Sequence, residues 1–267
     1  NNGKEENFID DIISKNNLHP SSETSFHALI NRKYVLHVHS TATIANAISQ
    51  SSGFDLRKYL DEDFIFVPYC RPGFTLTMEI KKLILPSTNI LVLENHGLIV
   101  AGDDIEDTYK LLLKIHEKLD LIRNEKLGLD FLEKITNIGG YIHKNTDKYK
   151  LFSTQNEKLF SLFSKSFYPD HVIFLGPGIP TFSEVKEANE FIQNLKRKNI
   201  NLPPYLILKN KGLFENTLAI PAAKEMIDCF LEVLLRIDLS KSFKFLSSHQ
   251  ESELLNWDIE IYRQSIN

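Results

Sequence analysis

Two short stretches hold most of the residues that could do chemistry. His37-Val38-His39 lies inside Tyr34-Val35-Leu36-His37-Val38-His39-Ser40, an aromatic and β-branched segment that reads as a strand. Side chains alternate along a strand, so His37 and His39 share a face, about 6.5–7 Å apart along the chain, within reach of one divalent ion. Fifty-odd residues later, His96 falls in a predicted hairpin turn, Leu93-Glu94-Asn95-His96-Gly97-Leu98. Gly97 there allows a positive φ or a close backbone approach. Three neutral imidazoles with one exchangeable position are the donor set of a catalytic zinc rather than a structural one.

The order of the surrounding text adds to this. Pro20-Ser21-Ser22-Glu23-Thr24-Ser25-Phe26-His27 precedes the His-x-His strand, and the Asn-His-Gly turn follows it, leading into a helix. Over roughly residues 15–125 this series resembles the class II aldolase/adducin-like family, which includes zinc-dependent sugar-phosphate aldolases and epimerases. The resemblance implies zinc on His37, His39 and His96. Glu23 becomes a displaceable fourth ligand and the catalytic acid/base, and Ser21 and Ser22 help hold a substrate phosphate. It further implies a homo-oligomer, a tetramer in the aldolases, whose active sites lie between subunits and take a tyrosine or other proton donor from a neighbour. Tyr69 matches that donor by residue type. The Gly-Asn-x-Ser-type phosphate loop usual upstream does not appear after Asn1-Asn2-Gly3-Lys4. Either the start is truncated or the phosphate site is reduced.

The elements that must position these residues follow from periodicity. A helix is expected over 21–31, capped by Ser21 or Ser22, with Phe26, Leu29 and Ile30 as its apolar stripe. Hydroxyl-capped helix 42–50, strand Phe64–Val67, hairpin arms Ile90–Leu93 and Leu98–Val100, and the amphipathic helix Ile105–Leu121 complete an α/β layered unit. The expected fold is a three-layer class II aldolase-like domain over 1–145, a mixed or antiparallel sheet flanked by helices. A smaller α/β accessory unit follows over 146–267. Polar residues around Gly139–Lys150 read as the linker. Beyond it come a helix near Gln155–Ser166, a strand His171–Leu175, a Gly176-Pro177-Gly178 turn, a helix Ser183–Lys198, a hairpin Tyr205–Phe214 and a helix Pro221–Ile237.

Within that second unit, Leu206-Ile207-Leu208-Lys209-Asn210-Lys211-Gly212-Leu213 echoes Leu91-Val92-Leu93-Glu94-Asn95-His96-Gly97-Leu98. Duplication and chance both account for so short a match. Without a His-x-His, the second copy cannot rebuild a zinc site.

Other residues invite chemical readings of their own. Arg71, after a strand and before Pro72-Gly73, can meet a substrate phosphate or carboxylate, or serve the surface. His27, four residues beyond Glu23, either supports that carboxylate or packs in its helix. His116, His143 and His171 read as structural. Cys70 reads as a small buried apolar residue, and Cys70 with Cys229 forms neither a metal-spaced pair nor a disulfide framework.

Composition bounds the partners. A net charge of −4 offers no basic surface for nucleic acid, and 42% apolar with 25% charged residues is ordinary for a globular protein. With no spanning run and no leader pattern, a cytoplasmic protein acting on a small molecule is expected. The reading reached is a zinc-dependent lyase making or breaking a carbon–carbon bond in a sugar phosphate or related hydroxy-ketone through a metal-stabilised enediolate. An epimerase on the same scaffold and a non-catalytic adducin-like scaffold are its alternatives.

Overall fold

The computed structural model describes residues 21–49, 56–121, 124, 127–129 and 137–257. The stretch ahead of Pro20, the place expected for a phosphate loop, and the Gln50 end of the second helix lie outside them. The chain divides into two compact units, Asn1–Ala47 with Ser51–Leu119, and Ile48–Gln50 with Asp120–Asn267.

The first unit runs α1 (Thr24–Leu29), β1 (Tyr34–Val38), α2 (Thr41–Ala47), β2 (Ile65–Val67), α3 (Phe74–Leu83), β3 (Ile90–Leu93), β4 (Gly97–Gly102) and α4 (Ile105–Leu119). Its sheet has the order β1-β4-β3-β2, antiparallel except for the parallel β2–β3 pair. A sheet covered on both faces needs central strands that are apolar throughout rather than alternating, and Ile90–Leu93 and Leu98–Val100 are. The pleat sends Ile90, Val92, Leu98 and Val100 towards α2 and α4, where Ala42, Leu112, Ile115 and Leu119 meet them. It sends Leu91, Leu93 and Ile99 the other way, onto Phe26, Leu76 and Ile80 of α1 and α3. Helix, sheet and helix make three layers.

Helix ends are where the expectations shift. Ser40 caps α2 as anticipated, its Oγ accepting the Thr43 N–H at 3.2 Å. At α1 the N-cap is Glu23, with no side-chain cap, and Ser21 Oγ instead accepts the Glu23 N–H at 3.2 Å. The Glu23 carboxylate is turned away from the helix end and used elsewhere.

The second unit contains β5 (Asn137–Ile138), β6 (Tyr141–His143), a 3-10 turn (Asp147–Ser153), α5 (Glu157–Leu162), α6 (Pro169–Leu175), β7 (Thr181–Phe182), α7 (Val185–Arg197), β8 (Tyr205–Leu208), β9 (Gly212–Asn216), α8 (Pro221–Arg236) and α9 (Ser248–Leu255). Its sheet order is β5-β6-β9-β8-β7. Two expectations are corrected here. Residues 139–150 are no linker: Gly139 (φ 59°) and Gly140 (φ 105°) make the tight turn of the β5–β6 hairpin, and β6 pairs with β9. Two positive-φ glycines are what such a turn demands, and flanking polar residues disguised it. The unit boundary accordingly falls near residue 120 rather than 145.

His171–Leu175 is the second correction, a helix with Pro169 in its first turn rather than a strand. A short, wholly buried apolar run carries no periodicity to separate the two states.

His171 itself is fully buried among Phe167, Tyr168 and Phe230, and neither ring nitrogen hydrogen-bonds to a described residue. Burial pushes its pKa down to about 3. The unfolded chain therefore binds a proton below about pH 6.5 that the folded unit refuses until about pH 3. Stability is full above pH 6.5 and falls by about 1.4 kcal/mol per pH unit beneath it. Urea titrations from pH 7 to 4 should show that slope, and His171→Phe should flatten it. An unchanged slope in the variant would assign the acid sensitivity to other groups.

Candidate metal centre

Strand pairing sets the first two imidazoles. β1 lies antiparallel beside β4, with His37 opposite Ile99 and Val38 opposite Leu98. Leu36 and Val38 join the core under α2 and α4 while Val35 points to the α1 side. By alternation His37 faces α1 as well, and its ring stands edge-on to Phe26 with centroids 5.3 Å apart. His39 lies just beyond the strand, exposed, its ring 5.1 Å from that of His37.

The β3–β4 turn supplies the third ring. Asn95 adopts a positive φ of 56°, which asparagine tolerates better than most residues, and His96 N–H bonds to Leu93 O at 3.2 Å. Gly97 is needed for the other reason anticipated, close approach. A Cβ there would overlap the Val38 carbonyl oxygen and sit 3.1 Å from His39 Cα. The missing side chain lets the turn touch the end of β1, and the His96 ring comes 4.7 Å from His39 and 5.1 Å from His37. Gly97→Ala must push turn and strand apart, since both clashing groups are backbone. A loss of about 1–3 kcal/mol of stability in urea, with weakened metal binding, is expected. Wild-type values for both would show that the contact is slack.

Glu23 closes the cluster. Its carboxylate accepts from His37 Nδ1 at 3.2 Å and from His96 Nε2 at 2.9 Å. Burial alone would raise the Glu23 pKa, but these two hydrogen bonds outweigh it and hold the group ionised, well below the usual carboxylate range. The His96 pKa is lowered too, but by burial, to about 4 despite the neighbouring carboxylate. Its imidazole is therefore neutral at pH 7, the form that can ligate a metal. One donor atom from each of Glu23, His37, His39 and His96 lies within 4.8 Å of the others. The buried His37 Nε2 has no hydrogen-bond partner among the described residues. Three imidazole nitrogens and a carboxylate oxygen fit a zinc-like divalent ion.

Neighbouring groups hold this arrangement. His116 Nδ1 and Ser40 Oγ are 3.0 Å apart, which ties α4 to the residue after His39. His27 stacks on Phe26 at 4.9 Å and lies 5.8 Å from His37, so its ring packs beside the cluster. Ser25 Oγ and Thr77 Oγ1 are 2.5 Å apart, joining α1 to α3. Sequence reasoning overlooked Glu94. It is buried, and its Oε2 accepts the Tyr69 N–H at 3.0 Å, tying the His96 turn to the loop that carries Arg71. An acidic residue directly before an Asn-His-Gly turn was the available signal. Ser21 and Ser22 occupy the turn just ahead of Glu23, and Arg71 is half-buried between β2 and α3. Burial raises the Cys70 thiol pKa, which agrees with an inert apolar role.

The order Glu23, His-x-His, Asn-His-Gly and its convergence on one point coincide with a match of residues 4–121 to the Class II Aldolase and Adducin N-terminal domain. Residues 4–121, a little under half of the chain, are thus similar to the class II aldolase/adducin family. Over 119 residues, 44% of the chain, the protein is 29% identical to the "Uncharacterized oxidoreductase YuxG" of Bacillus subtilis (strain 168). The match spans only 17% of that relative's length. A solved structure, the N-terminal class II aldolase domain of a conserved protein from Thermoplasma acidophilum, shares 30% identity with a TM-score of 0.35. That similarity covers 38% of this chain and 46% of the other. No described helix is long and apolar enough to cross a membrane.

Proposed function

We propose that the protein is a zinc-dependent lyase that cleaves or forms a carbon–carbon bond in a sugar phosphate or related hydroxy-ketone. One observation carries the reading: a carboxylate held ionised between two imidazoles, with a third imidazole within donor reach. His37, His39 and His96 would hold the ion, with Glu23 as the ligand that substrate displaces. When bound, zinc supplies a Lewis acid that draws electron density from a ketose carbonyl.

The chain's own residues account for the rest. Glu23, freed from the imidazoles, takes the proton of the hydroxyl whose carbon becomes the aldehyde. The bond between that carbon and the carbon next to the carbonyl breaks, and its electron pair passes to the carbonyl side. Glu23 then gives that proton to the carbon that received the electron pair, which leaves a neutral ketone and an aldehyde, and the synthetic direction runs these steps in reverse. Ser21, Ser22 and Arg71 would receive the phosphate. A serine hydroxyl donates one hydrogen bond, and a guanidinium adds a paired, charge-assisted contact.

A scaffold without metal would have no use for three converging histidines, and Glu23 in place of aspartate favours aldolase over epimerase within the resemblance. The word oxidoreductase in the relative's name describes a protein of which this chain matches less than a fifth, and no redox step is drawn from it. A cytoplasmic homo-oligomer, with a proton donor such as Tyr69 from a neighbouring subunit, completes the proposal.

Elemental analysis of purified protein after zinc incubation, followed by a screen of ketose phosphates for aldehyde release, tests it. About one zinc per chain and turnover of at least one ketose phosphate are expected. A chain that takes up no zinc would remove the basis of the reading.

A further inference from the structure

We infer that the second unit is a duplicate of the hairpin core of the first, with a lysine installed where the first copy has a metal ligand. The sequence echo is eight residues long, but the structural echo is far longer. Both sheets place an N-terminal strand beside the second arm of the hairpin, and a parallel strand beside its first arm: β1-β4-β3-β2 and β6-β9-β8-β7. In the parallel pair Phe66 faces Val92 and Val67 faces Leu93, as Thr181 faces Ile207 and Phe182 faces Leu208. In the hairpin Leu91 faces Ile99 and Leu93 faces Gly97, as Leu206 faces Phe214 and Leu208 faces Gly212.

Hydrogen bonds outside the ladders repeat at the same offset. Glu94 N–H to Val67 O at 2.9 Å corresponds to Lys209 N–H to Phe182 O at 2.9 Å. His96 N–H to Leu93 O at 3.2 Å corresponds to Lys211 N–H to Leu208 O at 3.0 Å, and Ala101 N–H to Asn89 O corresponds to Asn216 N–H to Pro204 O, both at 2.8 Å. The turn asparagines share the left-handed conformation, Asn95 at φ 56° and Asn210 at φ 61°. A chance Asn-x-Gly hairpin repeats only the turn. It does not bring a parallel partner in the same register across a connection of equal length, from Val67 to Ile90 with α3 and from Phe182 to Tyr205 with α7.

The register then reaches the site. His143 faces Phe214 as His37 faces Ile99, and Phe214 is the counterpart of Ile99, so His143 stands in the place of His37. The His143 ring hydrogen-bonds to the backbone of Lys211, the counterpart of His96. Two residues beyond His143 comes Asn145, where the first copy has His39. The second turn reads Lys209-Asn210-Lys211 against Glu94-Asn95-His96. An ammonium has no lone pair to give a metal, so Lys211 cannot do what His96 does; the Lys209 ammonium is turned to Glu157, at 2.6 Å. The second copy keeps the architecture of a metal site and one of its histidines but has exchanged the ligand chemistry. It contributes no ion to the stoichiometry of the chain.

If the copies are equivalent, restoring the ligands should restore the site. The full chain carrying Asn145→His and Lys211→His is made in a His37→Ala background, so that the result does not depend on the first centre. It is titrated with Co(II), read by visible absorption and by metal content after gel filtration. About one additional Co(II) per chain over the His37→Ala parent is expected, from His143 and the two introduced imidazoles. A folded variant, judged by near-ultraviolet circular dichroism, that gains no Co(II) would overturn the inference. Should the double change unfold the chain, Lys211→His alone is to gain weaker Co(II) binding through His143. Its failure to gain any would overturn the inference equally.

Discussion

Glu23→Gln is expected to keep most of its zinc while turnover of an identified ketose phosphate falls by about 10²–10⁴, the usual worth of a positioned proton-transfer group. The side chain keeps its length and shape, and the three imidazoles remain. What is lost is the ability to take up and return a proton. In the protein the carboxylate accepts from His37 Nδ1 at 3.2 Å and His96 Nε2 at 2.9 Å, so its oxygens already lie beside the atoms that would hold the ion. Glu23→Asp should retain part of the activity, since a carboxylate one methylene further back can still titrate. The measurement is steady-state turnover with metal content determined on the same preparation. Wild-type turnover by the Gln variant would reduce Glu23 to a helix-start residue and move the proton to another group.

His37→Ala is expected to empty the centre. Its ring contacts those of His39 and His96 at 5.1 Å each and packs against Phe26 at 5.3 Å, so truncation removes a ligand and opens a gap beneath the others. Changes to groups that merely support metal ligands cost about 10–100-fold in affinity, and loss of a ligand should exceed that range. Zinc at 100 times its dissociation constant should stabilise the wild-type protein by about 2.7 kcal/mol and leave the variant nearly unmoved. The fold itself should survive, because the layers on both faces of the sheet are built from Leu, Ile and Val away from the site. His27→Ala is the control, a ring beside the cluster whose loss should leave the zinc content at the wild-type level. Zinc retained by His37→Ala and lost by His27→Ala would reverse the assignment.

Much of this protein is legible residue by residue where the determinant is local. His37 and His39 share a face because strands alternate, and the hairpin is announced by two apolar runs around Asn95-His96-Gly97. The long amphipathic α4 follows from spacing alone. Local signals failed where two structures present the same text. The buried run His171–Leu175 shows no period, and Gly139-Gly140 among polar residues serves a tight turn as well as a linker.

Everything that turns these pieces into a centre is non-local. Only the pairing of β1 with β4 sets His37 opposite Ile99, one hairpin turn away from His96. Only the packing of α1 on that face brings the carboxylate of Glu23 across to both rings instead of leaving it as a helix cap. The burial that keeps His96 neutral, while His39 stays exposed, comes from neighbours far away in the chain. So does the correspondence of His143 with His37, which no eight-residue match could reveal. Residue types and their spacing determined which donors exist and which way each strand presents them. The tertiary structure decided which donors meet, because strand order and desolvation depend on contacts between segments that no local pattern encodes.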